Sequence, residues 1–278
     1  FSGPVSETAA NLPAADYVDI GRAPRRDLTG LELITIDGQG TLDYDDALSI
    51  EAVDSGWRVG VHVSDVGEYV PRGGVIDEEI VSRGTSVYMP DLKIPMLPPR
   101  LAEDICSLRA GTVRPAISVF FTVTAGGRIT GQEVVPSHVS VKRQLSYNDA
   151  DSMVGSDAAL RQLHEFAVNF RNQRLSDGAM LISLPEVSLR VFENGEISIR
   201  RLDRNSPSRL LVSEMMIMAN WVMAEFLRRQ DIPAVFRSQP EPRGRLYQNP
   251  DEATLFQNWM QRRMLSRVVL ATAPERSE

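Results

Sequence analysis

From Leu31 the chain alternates apolar and polar positions with a period of two, the mark of half-buried β-strands. "LELITI" runs into an Asp37-Gly38 turn signal, and "ALSIEAV" follows. A second turn at "DSG" precedes "WRVGVHVSDV", in which Val59, Val61 and Val63 share one face. These segments predict strands in hairpin-like succession. "AISVFFTVTAGGRITGQEVVPSHVSV" repeats the pattern around a Gly-Gly turn and predicts two more. Then the spacing becomes helical. Leu160, Leu163, Phe166, Ala167 and Phe170 fall on one face of a helix over 159–175. "VSLRVFENGEISIRRL" reads as a hairpin with Asn194-Gly195 as a two-residue turn. "SPSRLLVSEMMIMANWVMAEFLRRQ" predicts a long helix, apolar on most sides and hence buried, capped by Ser206 or Ser208 and ended by Pro233. Residues 251–269 are expected to be helical as well.

Antiparallel strands followed by grouped helices predict an α+β fold with a mixed, largely antiparallel sheet core and packed helices. Residues 1–26 are rich in Ser, Ala and Pro and lack periodicity. They read as a linker or arm, and residues 27–278 read as the folded domain.

Composition narrows the function classes. No apolar run approaches ~18 residues, so no membrane span is expected. The N-terminus lacks the basic-then-apolar pattern of a signal peptide. Cys106 is the only cysteine, which rules out an internal disulfide and points to a reducing compartment, the cytoplasm. The net charge of −7 alone weighs against a nucleic-acid partner. Yet Lys93 and Lys142 are the only lysines among 30 basic residues. Arginine is the better bidentate phosphate ligand, although GC-rich coding produces the same bias.

The chemistry concentrates in "TIDGQGTLDYDDALSIE", which holds Asp37, Asp43, Asp45 and Asp46 and no cation. A solvated turn is the plain reading. Against it, the cluster lies between two apolar strands. In an extended chain Asp43 and Asp45 point to one side, Asp46 points elsewhere, and Asp37 arrives from across the turn. Hard oxygen donors without His or Cys suit Mg²⁺ or Mn²⁺ and not Zn²⁺. Two such ions ~4 Å apart form the usual clamp for in-line attack on a phosphodiester. An EF-hand loop from Asp43 fails, because Leu48 stands where glycine is needed and the flanks are strands. A glycosyltransferase-type Asp-x-Asp reading of "DYD" has no Gly-rich phosphate loop beside it.

"TIDGQGTLDYDDAL", "GWRVGVHVSDVGEYV", "RGTSVYMPDLKIPMLPPRLAEDICSLRAG", "RQLSYNDAD" and "LLVSEMMIMAN" follow one another as in the RNB catalytic domain of the RNase II and RNase R exoribonucleases. The chain resembles that family from about Asp27 to about Pro274. The resemblance implies processive 3′-to-5′ hydrolysis of single-stranded RNA to nucleoside 5′-monophosphates with Mg²⁺, two ions being expected and Mn²⁺ an accepted substitute. It implies that Asp37, Asp45 and Asp46 hold metal and the 3′-terminal phosphodiester, and that Asp43 shares in metal binding or orders the site. It further implies that Tyr88 stacks on a base near the 3′ end and that Tyr147 lies near the site and limits the shortest product.

Plainer roles stand beside these. Tyr88 would serve as a core aromatic and Tyr147 as packing at a helix start. His62, His138 and His164 lack ligand spacing and read as structural, and Cys106 reads as a buried small residue. Two departures from the family matter. Many relatives have two acids where this chain has Ser213-Glu214, which leaves Glu214 as the candidate there. The family also continues into a Thr-Ser-Pro-Ile-Arg-Arg motif, whose arginine stabilises the scissile phosphate, and into a C-terminal OB-fold. Neither is in this sequence, nor are N-terminal RNA-binding modules, so an incomplete catalytic domain is expected. The rival is a non-catalytic RNB-like module that binds RNA or protein; a DNA-directed nuclease is a second rival.

Overall fold

The computed structural model describes residues 1–13, 24–124, 128–192, 194–247 and 252–273. It divides the domain expected over 27–278 into two compact units. One comprises Phe1–Gln162 with Leu189–Ser198, the other Leu163–Ser188 with Ile199–Glu278.

The first unit is built on a six-stranded sheet of β1 (Arg26–Asp27), β2 (Leu33–Asp37), β3 (Asp46–Val53), β4 (Gly56–Ser64), β7 (Val113–Val123) and β8 (Ile129–Ser146), in the order β1-β8-β2-β3-β4-β7. The long β8 pairs antiparallel with β7 over its first two-thirds and parallel with β2 over its end. Five strands therefore close on themselves, which removes the open edges of a flat sheet. The sheet is mixed and largely antiparallel, as the alternation predicts. Its interior is filled by Leu33, Ala47, Leu108, Ala116, Phe120, Val139 and Val141. Gly56 turns β3 into β4 at φ 136°, where a Cβ would lie 2.2 Å from the Val123 carbonyl oxygen.

A polar line crosses four of these strands. Ser49 Oγ lies 2.9 Å from His62 Nε2, His62 Nδ1 lies 2.7 Å from Ser118 Oγ, and Ser118 Oγ lies 2.6 Å from Ser137 Oγ. Burial, helped by the Arg58 charge, lowers the His62 pKa to about 3, so the ring is neutral. The structural role expected for His62 holds.

Residues 1–26, expected as a linker or arm, include helix α1 (Gly3–Ala10). Its Val5 and Ala9 are buried with Tyr69, Ile76, Leu101, Ile105 and Cys106. Two apolar residues at i and i+4 suffice to dock so short a helix; residues 14–23 lie outside the described set. Helix α2 (Val75–Arg83) and the small hairpin β5 (Val87–Tyr88) and β6 (Lys93–Ile94) complete this part. Cys106 is buried as expected, and its thiol pKa is pushed up to about 12 by burial.

Helix α3 (Tyr147–Met153) follows β8 directly through a Ser146/Asp149 capping box, and α4 (Ala158–Ser176) matches the expected helix. The expected hairpin forms as β9 (Glu186–Val191) and β10 (Ile197–Leu202). Helix α5 (Pro207–Arg229) belongs to the second unit. By length and composition alone it would reach across a membrane. It is buried along one row, Leu211, Met215, Met218 and Val222, whereas Ile217 and Trp221 are exposed. The expectation of burial on most sides is thus corrected to one face. Ser206 is its N-cap residue without a capping hydrogen bond from its side chain. The last expected helix is shorter than 251–269. Helix α6 spans Leu255–Met264; Leu265 turns to extended backbone, and β12 (Val269–Ala271) pairs with β11 (Phe236–Ser238).

Candidate active site

Strands β2 and β3 are antiparallel neighbours with Ile34 opposite Leu48. Asp37 ends the first and Asp46 begins the second. The fold therefore brings both carboxylates to the same end of the sheet, with Asp43 and Asp45 in the connection between them. Asp37 also pairs in register with Ser146 of β8, so Tyr147, the next residue, starts α3 beside it.

The connection is held from outside. Ser107 is fully buried; its Oγ accepts from the Tyr44 N–H at 3.0 Å and donates to the Leu42 carbonyl at 2.7 Å. The Leu108 N–H donates to the Tyr44 carbonyl at 2.9 Å, and the Ser64 N–H to the Asp45 carbonyl at 2.9 Å. Asp37 Oδ1 accepts from the Gly38 N–H at 2.5 Å and from Thr41 Oγ1 at 3.1 Å. Gly40, at φ 87°, supplies the left-handed turn in this loop. The "CSL" motif downstream thus acts as the clamp on the aspartate loop.

Electrostatic repulsion couples all four aspartates. The Asp46 carboxyl is pushed up to about 6, first by burial, then by the charges of Asp37 and Asp45. Asp45 is raised by burial and then by Asp43 and Asp37, with Lys93 opposing. Such mutual repulsion favours a bound cation.

Asp43 has a partner that sequence reasoning missed. Lys93 Nζ lies 2.8 Å from Asp43 Oδ2 and 3.3 Å from Glu103 Oε1. The Tyr88 hydroxyl donates to the same Asp43 oxygen at 3.3 Å, and Lys93 lies 5.6 Å from the Tyr88 ring centre. The cross-strand pair Tyr88↔Lys93 of β5 and β6 delivers both. Tyr88 is 67% exposed, which replaces the core-aromatic reading with a ring open to solvent. One signal was available: Lys93 is one of two lysines, and it sits in the motif next to Tyr88.

Two features stand apart. Glu214 is buried in the second unit and takes both Nε (3.0 Å) and an Nη (2.8 Å) of Arg174. Its role there is to tie α4 to α5. Ser213 is exposed and donates to the Leu210 carbonyl at 3.3 Å, the usual back-bond of a helical serine. A cavity of about 410 Å³ in the second unit is lined by Ser176, Asp177, Glu241, Arg245 and Tyr247 among others and holds none of the expected site residues.

The donor chemistry suits a hard divalent cation, being four carboxylates without imidazole or thiolate. Among the described residues, no three such side chains are yet arranged to hold an ion. Asp43 is instead turned toward Lys93.

Ribonuclease R of Thermotoga maritima is 33% identical over 245 residues, 84% of this chain and 33% of that protein. The chain spans about a third of the length of the curated relatives it matches. The structure of Mycoplasma genitalium RNase R in complex with ribose-methylated single-stranded RNA superposes with a TM-score of 0.84 at 22% identity, over 100% of this chain and 50% of that one. Yeast Ssd1, described as a pseudonuclease, shares the fold with a TM-score of 0.67 at 21% identity, over 83% of this chain and 29% of that one. The RNB domain profile matches residues 25–275, and with the aspartate-bearing strand ends and the motif order already described, the chain belongs to the RNB domain family.

Proposed function

We propose that this chain carries the catalytic centre of an exoribonuclease that degrades single-stranded RNA processively from the 3′ end and releases nucleoside 5′-monophosphates by hydrolysis. The observation that carries this reading is the placement of Asp37 and Asp46 at adjacent strand ends, with Asp46 pushed up to about 6 by burial and by its neighbours. A fold gains nothing from carboxylates that repel one another unless a cation joins them.

Asp37, Asp43, Asp45 and Asp46 would hold Mg²⁺, with Mn²⁺ as a substitute. When bound, the metal supplies a polarised phosphodiester and an acidified water. The protein's own residues do the positioning. The exposed Tyr88 ring takes a base by stacking, worth ~1–3 kcal/mol and indifferent to sequence, as a processive enzyme requires. Its hydroxyl donates to Asp43, which ties the stacking ring to the carboxylate cluster. Lys93 offsets one of the two negative charges of Asp43 and Glu103 and so lessens the repulsion of the rim toward phosphate. Tyr147, beside the Asp37 strand end, sets the depth to which the 3′ end enters. RNA-over-DNA choice would come from the 2′-hydroxyl.

The second reading is a non-catalytic RNB-like module. The pseudonuclease among the fold neighbours and the engagement of Asp43 by Lys93 favour it. The intact set of four aspartates opposes it. Incubating the full-length protein with 5′-labelled RNA and Mg²⁺ separates the two. The proposal expects stepwise shortening from the 3′ end, arrest by EDTA and an intact DNA control. RNA that is bound but not shortened supports the module; DNA degraded as fast as RNA defeats the substrate assignment.

A further inference from the structure

Helix α6 has its polarity reversed. Its fully buried positions are amides, Asn258 and Gln261, at 2% and 0% exposure. Asn258 Oδ1 accepts from the Ser183 N–H and from the Tyr247 hydroxyl, both at 2.8 Å. Gln261 Oε1 accepts from the Leu246 N–H at 2.7 Å, and its Nε2 donates to the Gly244 carbonyl at 2.8 Å. These bonds satisfy backbone groups of neighbouring loops, so the amides have a structural reason to face inward. The outward face has no such reason to be aromatic. Leu255, Phe256 and Trp259 are exposed by 59%, 68% and 46%. The rings of Phe256 and Trp259 lie 6.1 Å apart at 29°, and the Arg263 guanidinium lies 5.1 Å from the Trp259 ring centre. Large apolar groups left in water on one contiguous face mark a contact surface.

The charge around the face selects the occupant. From Ala253 to Ala273 there is no acidic residue, and Arg262, Arg263 and Arg267 are all exposed, on a chain whose net charge is −7. Flat rings interleaved with arginines suit a strand of stacked bases with a phosphate on each. A protein partner would need its own apolar complement and would gain little from an arginine-rich rim.

We propose that the outward face of α6 is a stacking platform for single-stranded RNA, additional to the aspartate site. Bases stack on Phe256 and Trp259, and Arg262, Arg263 and Arg267 meet the phosphates. The choice of RNA over another single-stranded polyanion rests on the function proposed above; the surface itself does not.

The test is fluorescence anisotropy of a dye-labelled RNA oligomer with the full-length protein in EDTA, where no hydrolysis enters. Phe256→Ala and Trp259→Ala are each expected to weaken binding on the order of tenfold. Trp259→Phe should keep most of the affinity. Arg263→Gln should reduce the slope of log affinity against log salt by ~0.7. Trp221→Ala, an exposed tryptophan elsewhere, should change nothing, and circular dichroism checks that each variant is folded. A parent that does not bind RNA, or variants that bind as the parent does, overturns the proposal. So does a Trp259→Ala variant that alters the sedimenting species while RNA affinity stays fixed, since the face would then belong to a protein contact. Asp45→Asn should leave this binding intact, so a failure of the hydrolysis reading is distinguishable from a failure of the platform.

Discussion

Asp46 gives the most quantitative test of the charge assembly. Its carboxyl lies at about 6 in the folded chain against an ordinary 3.8. The folded state therefore binds more protons than the unfolded state between those values, and stability falls as pH rises from about 4 to about 6. Above that window the loss is complete. About two pKa units at ~1.36 kcal/mol each amount to roughly 3 kcal/mol, an upper bound for a half-buried group. Asp46→Asn removes the charge and keeps the shape. In EDTA at pH 7.5 the variant should be more stable than the parent by up to about 3 kcal/mol, or several degrees in Tm. The gain should vanish near pH 4. His62, whose buried neutral ring loses stability as pH falls below 6.5, contributes equally to both proteins and cancels in the comparison. Urea denaturation at pH 4, 5, 6 and 7.5 provides the measurement. A variant no more stable than the parent at pH 7.5, or a gain that persists unchanged at pH 4, refutes the repulsion argument. Millimolar Mg²⁺ should narrow the gap at pH 7.5, because the cation stabilises only the parent's full carboxylate set.

Ser107→Ala removes the clamp on the aspartate loop; unfolding titrations should show a loss of ~1–3 kcal/mol from the buried groups left unsatisfied, with RNA hydrolysis falling more than RNA binding. Lys93→Met should change stability by less than ~1 kcal/mol, as its ion pairs are partly solvated, and should lower the Mn²⁺ concentration needed for half-maximal thermal stabilisation by freeing Asp43. Glu214→Gln should destabilise the second unit by ~1–3 kcal/mol through the orphaned Arg174 while the rate per folded molecule stays at the parent's value. Tyr88→Ala should raise KM for RNA and leave the product register unchanged, since the ring binds but does not react.

The strands were legible because period two survives in β2, β3, β4, β7 and β8, and apolar residues fill their buried faces. The parallel pairing of β2 with β8 was not legible, because it joins residues about a hundred positions apart through no local signal. Two aspartates at strand ends and two in the connection between them could be read from spacing alone, and their placement at one sheet end follows from antiparallel pairing. Their anchors could not. Ser107 meets Tyr44 across 63 positions and Lys93 meets Asp43 across 50, so both depend on the closed sheet. The helix expected over 251–269 was legible only in part: α6 stops at Met264, Leu265 turns to extended backbone, and a strand at Val269 takes over to pair with β11 some thirty positions earlier. Glu214 stood out because many relatives carry acids at that place; its partner Arg174 lies 40 positions away, beyond local reading, and accounts for a buried carboxylate there.

The central claim is that the four aspartates form a cation-dependent hydrolytic centre for RNA. Asp45→Asn in the full-length protein tests it most directly, with 5′-labelled single-stranded RNA, Mg²⁺ and a folded variant verified by circular dichroism. The account predicts a rate at least 10²-fold below the parent's, a cost on the scale of losing one electrostatic stabiliser of the transition state through weakened hold on the cation, with RNA affinity in EDTA unchanged. A variant that shortens RNA as fast as the parent would contradict it.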